Sequence, residues 1–135
     1  MYLIDTCVVS EARRRAPAAV AWLRAAQSET LFLGAITIGQ IMKGIMIKVR
    51  TDPPQAAALL RWLDELRLVY ASHILPIDDA VATGWGRLMA QRSRPMADAL
   101  IAATARVHNK VVVTRNVADF ADTGVDVIDP WEVYR

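Results

Sequence analysis

The chain lacks the residues that define several common functional classes. It has one cysteine, Cys7, in 135 residues, so no internal disulfide can staple it and a metal site built from several thiolates is excluded. Its two histidines, His73 and His108, stand singly at element ends, which fits structural roles better than catalysis. No apolar run reaches the roughly 18 residues needed to span a bilayer. The opening "MYLIDTC" meets an acid at Asp5, too early for a signal peptide, and the chain reads as cytoplasmic. The formal net charge is only +2, so nucleic-acid binding would have to come from local clustering of charge.

What is present is apolar and regular. Hydrophobic residues make up 54% of the chain, which excludes a disordered tail and predicts a single domain over 1–135 with surface to spare for a partner. Short apolar runs at 2–5, 31–33, 73–77, 110–114 and 126–130 read as strands. Helical patterns separate them, at 17–27 with Val20 and Leu23 on one side, from Ile38 onward, from Pro54 to about Tyr70, at 78–92 and at 97–107. In the second of these helices the apolar positions 38, 41, 42, 45 and 49 form one stripe. The helix at 97–107 is rich enough in alanine to pack closely on two sides. Continuously apolar strands alternating with helices predict an α/β fold, a three-layer α/β/α sandwich with a central, mostly parallel sheet.

In such sheets, sites lie outside the carboxyl ends of the strands. Asp5 ends the first strand, and Asn116 and Asp119 follow the strand at 110–114. Asp98 sits at a helix N-terminus, where the macrodipole favours an anion. Three carboxylates gathered at one sheet edge repel one another unless a cation joins them, and oxygen ligands suit Mg²⁺ or Mn²⁺. Each acid also has a plainer reading. Asp98 alone reads as a helix cap and Asp119 as an Asx-turn, whereas an acid closing a buried strand has no evident structural reason.

Four ordered segments, "YLIDTCVVSE", "AITIGQIMKGI", "MADALIAATA" and "VVTRNVADF", resemble the motifs of the PIN-domain family, specifically its VapC-like and FitB-like toxins. The resemblance implies a Mg²⁺- or Mn²⁺-dependent endoribonuclease, a homodimer, held inactive by a small VapB-like antitoxin. Asp5, Asp98 and Asp119 match the family's acidic metal-site positions. Thr6 and Asn116 match polar positions beside the site, and Thr114 belongs to the same surroundings.

Two positions depart from the pattern. Gln40 stands where the family has glutamate, and Cys7 where it has asparagine. Helical periodicity puts Gln40 off the apolar stripe, on a face with Lys43, Gly44 and Ile47, so from the pattern alone it is a solvated amide; the resemblance places it at the metal site. Its carbonyl can bond a metal-held water but cannot act as a general base. A unit charge about 5 Å from a divalent ion interacts by roughly 6–7 kcal/mol at an effective dielectric near 20, before desolvation. Its loss predicts weak metal affinity and low nuclease activity. Cys7 reads equally well as a small buried hydrophobe, and Glu11 is a candidate replacement carboxylate.

Lys43 and Arg115 are the cations expected to meet an RNA phosphate or an antitoxin acid. The cluster "ARRRA" at 12–16 reads either as a phosphate guide or as a solvated run. Trp22, Trp62, Trp85 and Trp131 do not cluster and read as core or interface. Two alternatives to an active ribonuclease toxin remain open. One is a catalytically silent PIN domain that binds and regulates an antitoxin. The other is a DNA-directed or flap-type nuclease, which the small size disfavours.

Overall fold

In the computed structural model, which describes residues 1–134, strands β1 (Tyr2–Ile4), β2 (Leu31–Gly34), β3 (Ile74–Leu75), β4 (Val111–Val113) and β5 (Val127–Ile128) form one sheet in the order β3-β2-β1-β4-β5. Every pairing is parallel. The expected α/β/α sandwich is therefore present, with a sheet that is parallel throughout. The edge strands β3 and β5 keep two residues each, shorter than the runs at 73–77 and 126–130, because each has a neighbour on one side only.

Helices α1 (Thr6–Arg13), α2 (Pro17–Ala25), α3 (Ala35–Thr51), α4 (Pro53–Val69), α5 (Asp79–Gln91), α6 (Met96–Val107) and the short α7 (Pro130–Val133) cover the sheet. The strands alternate in the faces they supply. Ile4, Leu31, Leu33 and Val113 belong to one core with Val8, Trp22, Ile41 and Leu63 from α1 to α4. Leu3 and Val112 belong to the other, with Val81 and Leu88 of α5, α6 and Phe120. Among the described residues no helix is long and apolar enough to cross a membrane.

Two local expectations change. On α2 the buried residues are Ala18, Ala19 and Trp22, with Val20 half-buried and Leu23 half-buried against the same core; Trp22 meets Tyr2 edge-on with ring centroids 5.0 Å apart. On α3 the buried stripe ends at Ile45, and Val49 is 45% exposed. A 17-residue helix is about 25 Å long, whereas four-residue β2 spans about 13 Å, so the end of α3 outruns the sheet.

The alanine content of α6 has the expected consequence. Every residue from Ala99 to Ala105 is buried, and Gly84 of α5 lets that helix approach until a Cβ there would stand 3.5 Å from Ala103 Cβ. Ala103→Leu has no room at this crossing. It is expected to lower stability by about 1–3 kcal/mol, read as a lower urea midpoint, while a comparable exchange at exposed Ala57 leaves the midpoint near the parent's.

Candidate metal-ion and nucleic-acid site

The strand order places the site. From β1 the chain moves outward through β2 and β3, then returns to the far side of β1 for β4 and β5. The switch point is therefore between β1 and β4, the crevice where doubly wound sheets bind ligands. Tyr2, Leu3 and Ile4 pair with Val111, Val112 and Val113, which sets Asp5 beside Thr114 where the two strands end.

Asp5 is 4% exposed. It precedes α1 but its side chain makes no cap bond. Instead Oδ2 accepts hydrogen bonds from Thr114 Oγ1 at 2.7 Å and from the Cys7 thiol at 3.3 Å. Thr114, fully buried, also accepts from the Asn116 backbone N–H at 3.0 Å. Asn116 in turn accepts the Asp119 N–H on its carbonyl at 3.0 Å, the start of a 3-10 turn over Val117–Phe120. One chain of bonds thus runs from Asp5 to the backbone that carries Asp119.

Asp98 lies in the first turn of α6 and, contrary to the plainer reading, its side chain does not cap the helix. Other aspartates in the chain do cap: Asp52, Asp78 and Asp129 accept from Gln55, Val81 and Trp131 backbone N–H groups. The Asp98 carboxyl is pushed up to about 6, first by desolvation and then by the charges of Asp5 and Asp119. The three acids are therefore electrostatic neighbours. Among the described residues no three His, Cys, Asp or Glu side chains converge into a ready-made metal cage.

Gln40 is half-buried rather than solvated on an outer face. Its Oε1 accepts from the Thr6 hydroxyl at 2.5 Å, and Thr6 Oγ1 also stands 2.9 Å from that of Thr37. Thr37 is fully buried, and together with Cys7 it was absent from the expected polar set. The i, i+3 spacing of Thr37 and Gln40 on one helix is the signal that links them. Cys7 is a hydrogen-bond donor as well as a packed thiol. Burial, then the Asp5 charge, raises it to about 11, so it stays protonated at neutral pH.

Thr6, Gln40, Ser10, Arg13, Arg14 and Lys48 line a groove of about 340 Å³ between α1, α3 and α4. Arg13 lies over the Trp62 ring at 5.6 Å. Lys43 is exposed and does not line this groove, because it lies further around α3. Arg115 stacks on Trp131 at 4.7 Å and borders a separate shallow depression with Asn116 and Asp119. Glu11 pairs with Arg14 at 3.2 Å, which engages the carboxylate considered as a replacement. His73 has a structural role: its Nδ1 lies 2.8 Å from the Leu31 carbonyl and its ring stacks on Phe32.

The PIN domain family model matches residues 2–125. The chain belongs to the PIN-domain family. Over 139 residues it is 34% identical to a protein named VapC ribonuclease Y4jK from Sinorhizobium fredii, covering 98% of this chain and 99% of that one. It is 32% identical to Toxin FitB of Neisseria gonorrhoeae, over 97% of this chain and 99% of that protein. The crystal structure of FitAcB from Neisseria gonorrhoeae superimposes with a TM-score of 0.87 at 32% identity, over 97% of this chain and 99% of that one.

The donor set of this PIN domain suits a hard divalent ion. It is all oxygen, and the mutual repulsion that raises Asp98 is what a cation would relieve. The open arrangement suits Mg²⁺, which keeps several waters and takes one or two carboxylates rather than a closed protein cage.

Two outcomes follow from the charges. Asp98 has a folded value near 6 against an ordinary 3.8, so the folded state holds its proton more tightly. Its contribution to stability is full below the ordinary value and is lost as pH rises through about 6. Thermal melts in chelator should find Asp98→Asn more stable than the parent at neutral pH, the gap closing towards pH 4. Cys7, shifted from 9.0 to about 11, should carry about a hundredfold less thiolate at pH 8 in the folded than in the unfolded chain, read as slower reaction of the folded chain with a disulfide reagent.

Proposed function

We propose that this chain is the toxin of a VapBC- or FitAB-type toxin–antitoxin pair and hydrolyses RNA phosphodiester bonds with Mg²⁺ or Mn²⁺, at an activity reduced by Gln40. The observation that carries this reading is the raised Asp98 carboxyl, whose causes include the two other acids at the β1–β4 switch point. Asp5, Asp98 and Asp119 would hold the ion, which when bound neutralises charge growing on the phosphate and makes a water more acidic. Asp5 is oriented by the Thr114 hydroxyl and the Cys7 thiol, both donating to the same oxygen. Thr6 fixes Gln40 through its carbonyl, leaving two N–H donors and no carboxylate. Position 40 can therefore orient a water or a phosphate oxygen but cannot accept a proton.

Arg13, Arg14 and Lys48 in the adjoining groove supply the cations for a polyanion entering from the α1–α3 side. Lys43, exposed on α3, and Arg115, beside Asn116 and Asp119, would add to them. The partner in this reading is a small antitoxin, supported by the similarity to Toxin FitB and to the FitAcB structure. Met46 and Ile47 on α3 and Leu68 and Val69 on α4 are apolar and more than half exposed, surface available to the expected homodimer. The single domain would span 1–135, working in the cytoplasm.

One observation favours a second reading. The Gln40 carbonyl is already taken by the Thr6 hydroxyl, as suits a silent domain that binds and regulates an antitoxin. A single substitution separates the two. Gln40→Glu keeps the Thr6 bond, because a carboxylate accepts the same hydroxyl proton. It should bind Mn²⁺ about tenfold more tightly by calorimetry and raise the rate of RNA cleavage. If the glutamate variant gains neither affinity nor cleavage yet still binds an antitoxin, the silent module is the correct reading.

A further inference from the structure

Asp98 and Asp119 stand on segments that are distant in sequence, and a compact set of ion pairs joins those segments. Arg94 lies four residues before Asp98, in the loop entering α6. Asp122 lies three residues after Asp119, just past the 3-10 turn. The Asp122 carboxylate receives two guanidinium groups, each in a two-point contact. Arg92 donates through Nε at 2.6 Å and NH2 at 3.0 Å, and Arg94 through NH1 at 3.1 Å and NH2 at 3.5 Å. Arg94 also reaches Gln91 Oε1 at 3.4 Å.

The burial of these partners is uneven. The Arg94 side chain is 1% exposed while that of Asp122 is 50% exposed, and the Arg94 Nε–H is buried with no hydrogen-bond partner among the described residues. Withdrawing a guanidinium from water and leaving one of its donors unpaired is unfavourable. A hydrophobic side chain would fill the same space without that cost. What the arginine adds over such a side chain is a directional, bidentate hold on the Asp122 loop.

That hold acts where the site needs it. Phe120, fully buried, and Thr123, which donates to the Phe120 carbonyl at 2.7 Å, dock the 3-10 turn against the α6 side of the sheet. The ion pairs then set how far the turn lies from the start of α6. Two arginines against one aspartate also leave a net positive charge, and Arg92 lies within electrostatic reach of Asp119.

We propose that Arg94 and Asp122 are positioning residues that hold the first turn of α6 and the Val117–Phe120 turn together, so that Asp98 and Asp119 would both be available to one divalent ion. This rests on the reading of those acids as metal ligands.

The test is Mn²⁺ calorimetry on the metal-free full chain, held well below each variant's unfolding midpoint. Asp122→Asn keeps the shape and removes the charge, and Arg94→Lys keeps the charge and removes the two-point geometry. Each should weaken Mn²⁺ binding about tenfold, as loss of a residue supporting metal ligands does. Asp122→Glu, with the charge restored, should recover most of that loss. Either of the first two variants suffices if the other fails to fold. If the folded variants bind Mn²⁺ as the parent does and only their melting temperatures fall, while Asp98→Asn loses binding, the positioning role is wrong and the metal site stands. If parent and Asp98→Asn alike take up no Mn²⁺, the metal-site reading itself fails and this proposal falls with it.

Discussion

The pairing of β1 with β4 is the constraint on which the rest of the site depends. With Ile4 opposite Val113, the next residue on each strand leaves the ladder at the same place. Those residues are Asp5 and Thr114. A carboxylate that is 4% exposed needs hydrogen bonds to replace the water it lost. Thr114 and Cys7 provide them, and Thr114 passes the ordering on to Asn116 and the turn bearing Asp119. A one-residue slip of β4 would put Arg115 or Val113 beside Asp5 and reverse the faces of its valines.

Around that fixed point, the other groups are held by different means. Asp98 rides on a helix whose seven consecutive buried residues leave it little freedom. Gln40 is held by the Thr6 hydroxyl from α1, so α1 carries support for both sides of the site. Buried polar groups of this sort demand full hydrogen bonding, and here they find it in one another: Thr6 with Thr37 and Gln40, Thr114 with Asp5 and Asn116. The acids are the exception. They face one another without a counter-charge among themselves, and the raised Asp98 carboxyl is the result.

Much of this architecture was legible in the chain. Strand and helix order, the close packing of α6, and the three acids at strand and helix ends all follow from periodicity, composition and placement. The role of Cys7 was not, because a lone thiol beside an apolar run looks the same whether it packs or donates. Thr37 was hidden for a related reason: a threonine in the first turn of a helix is unremarkable until Thr6 of another helix is set against it. Lys43 and the arginines at 13–15 stand out in the sequence only by their nearness to the motifs. Which cations line the groove is decided by helix phase and by the crossing of α1, α3 and α4, neither of which a linear pattern contains.

The sequence by itself determined the fold class, because β-branched apolar strands alternating with amphipathic helices can bury their surfaces in few ways. It also determined the chemistry available at the site: oxygen donors, one amide in place of an acid, one thiol. Only the tertiary structure decided which of these groups meet. Hydrogen bonds of 2.5 to 3.3 Å between residues 31 to 109 positions apart, or between Asp5 and the thiol two residues on, depend on strand register and helix crossing. Local propensity sets an element's type, whereas its neighbours are chosen by packing of the whole chain. The same holds for Arg94, which in the sequence is one arginine among several and in the fold is the buried one among the described residues.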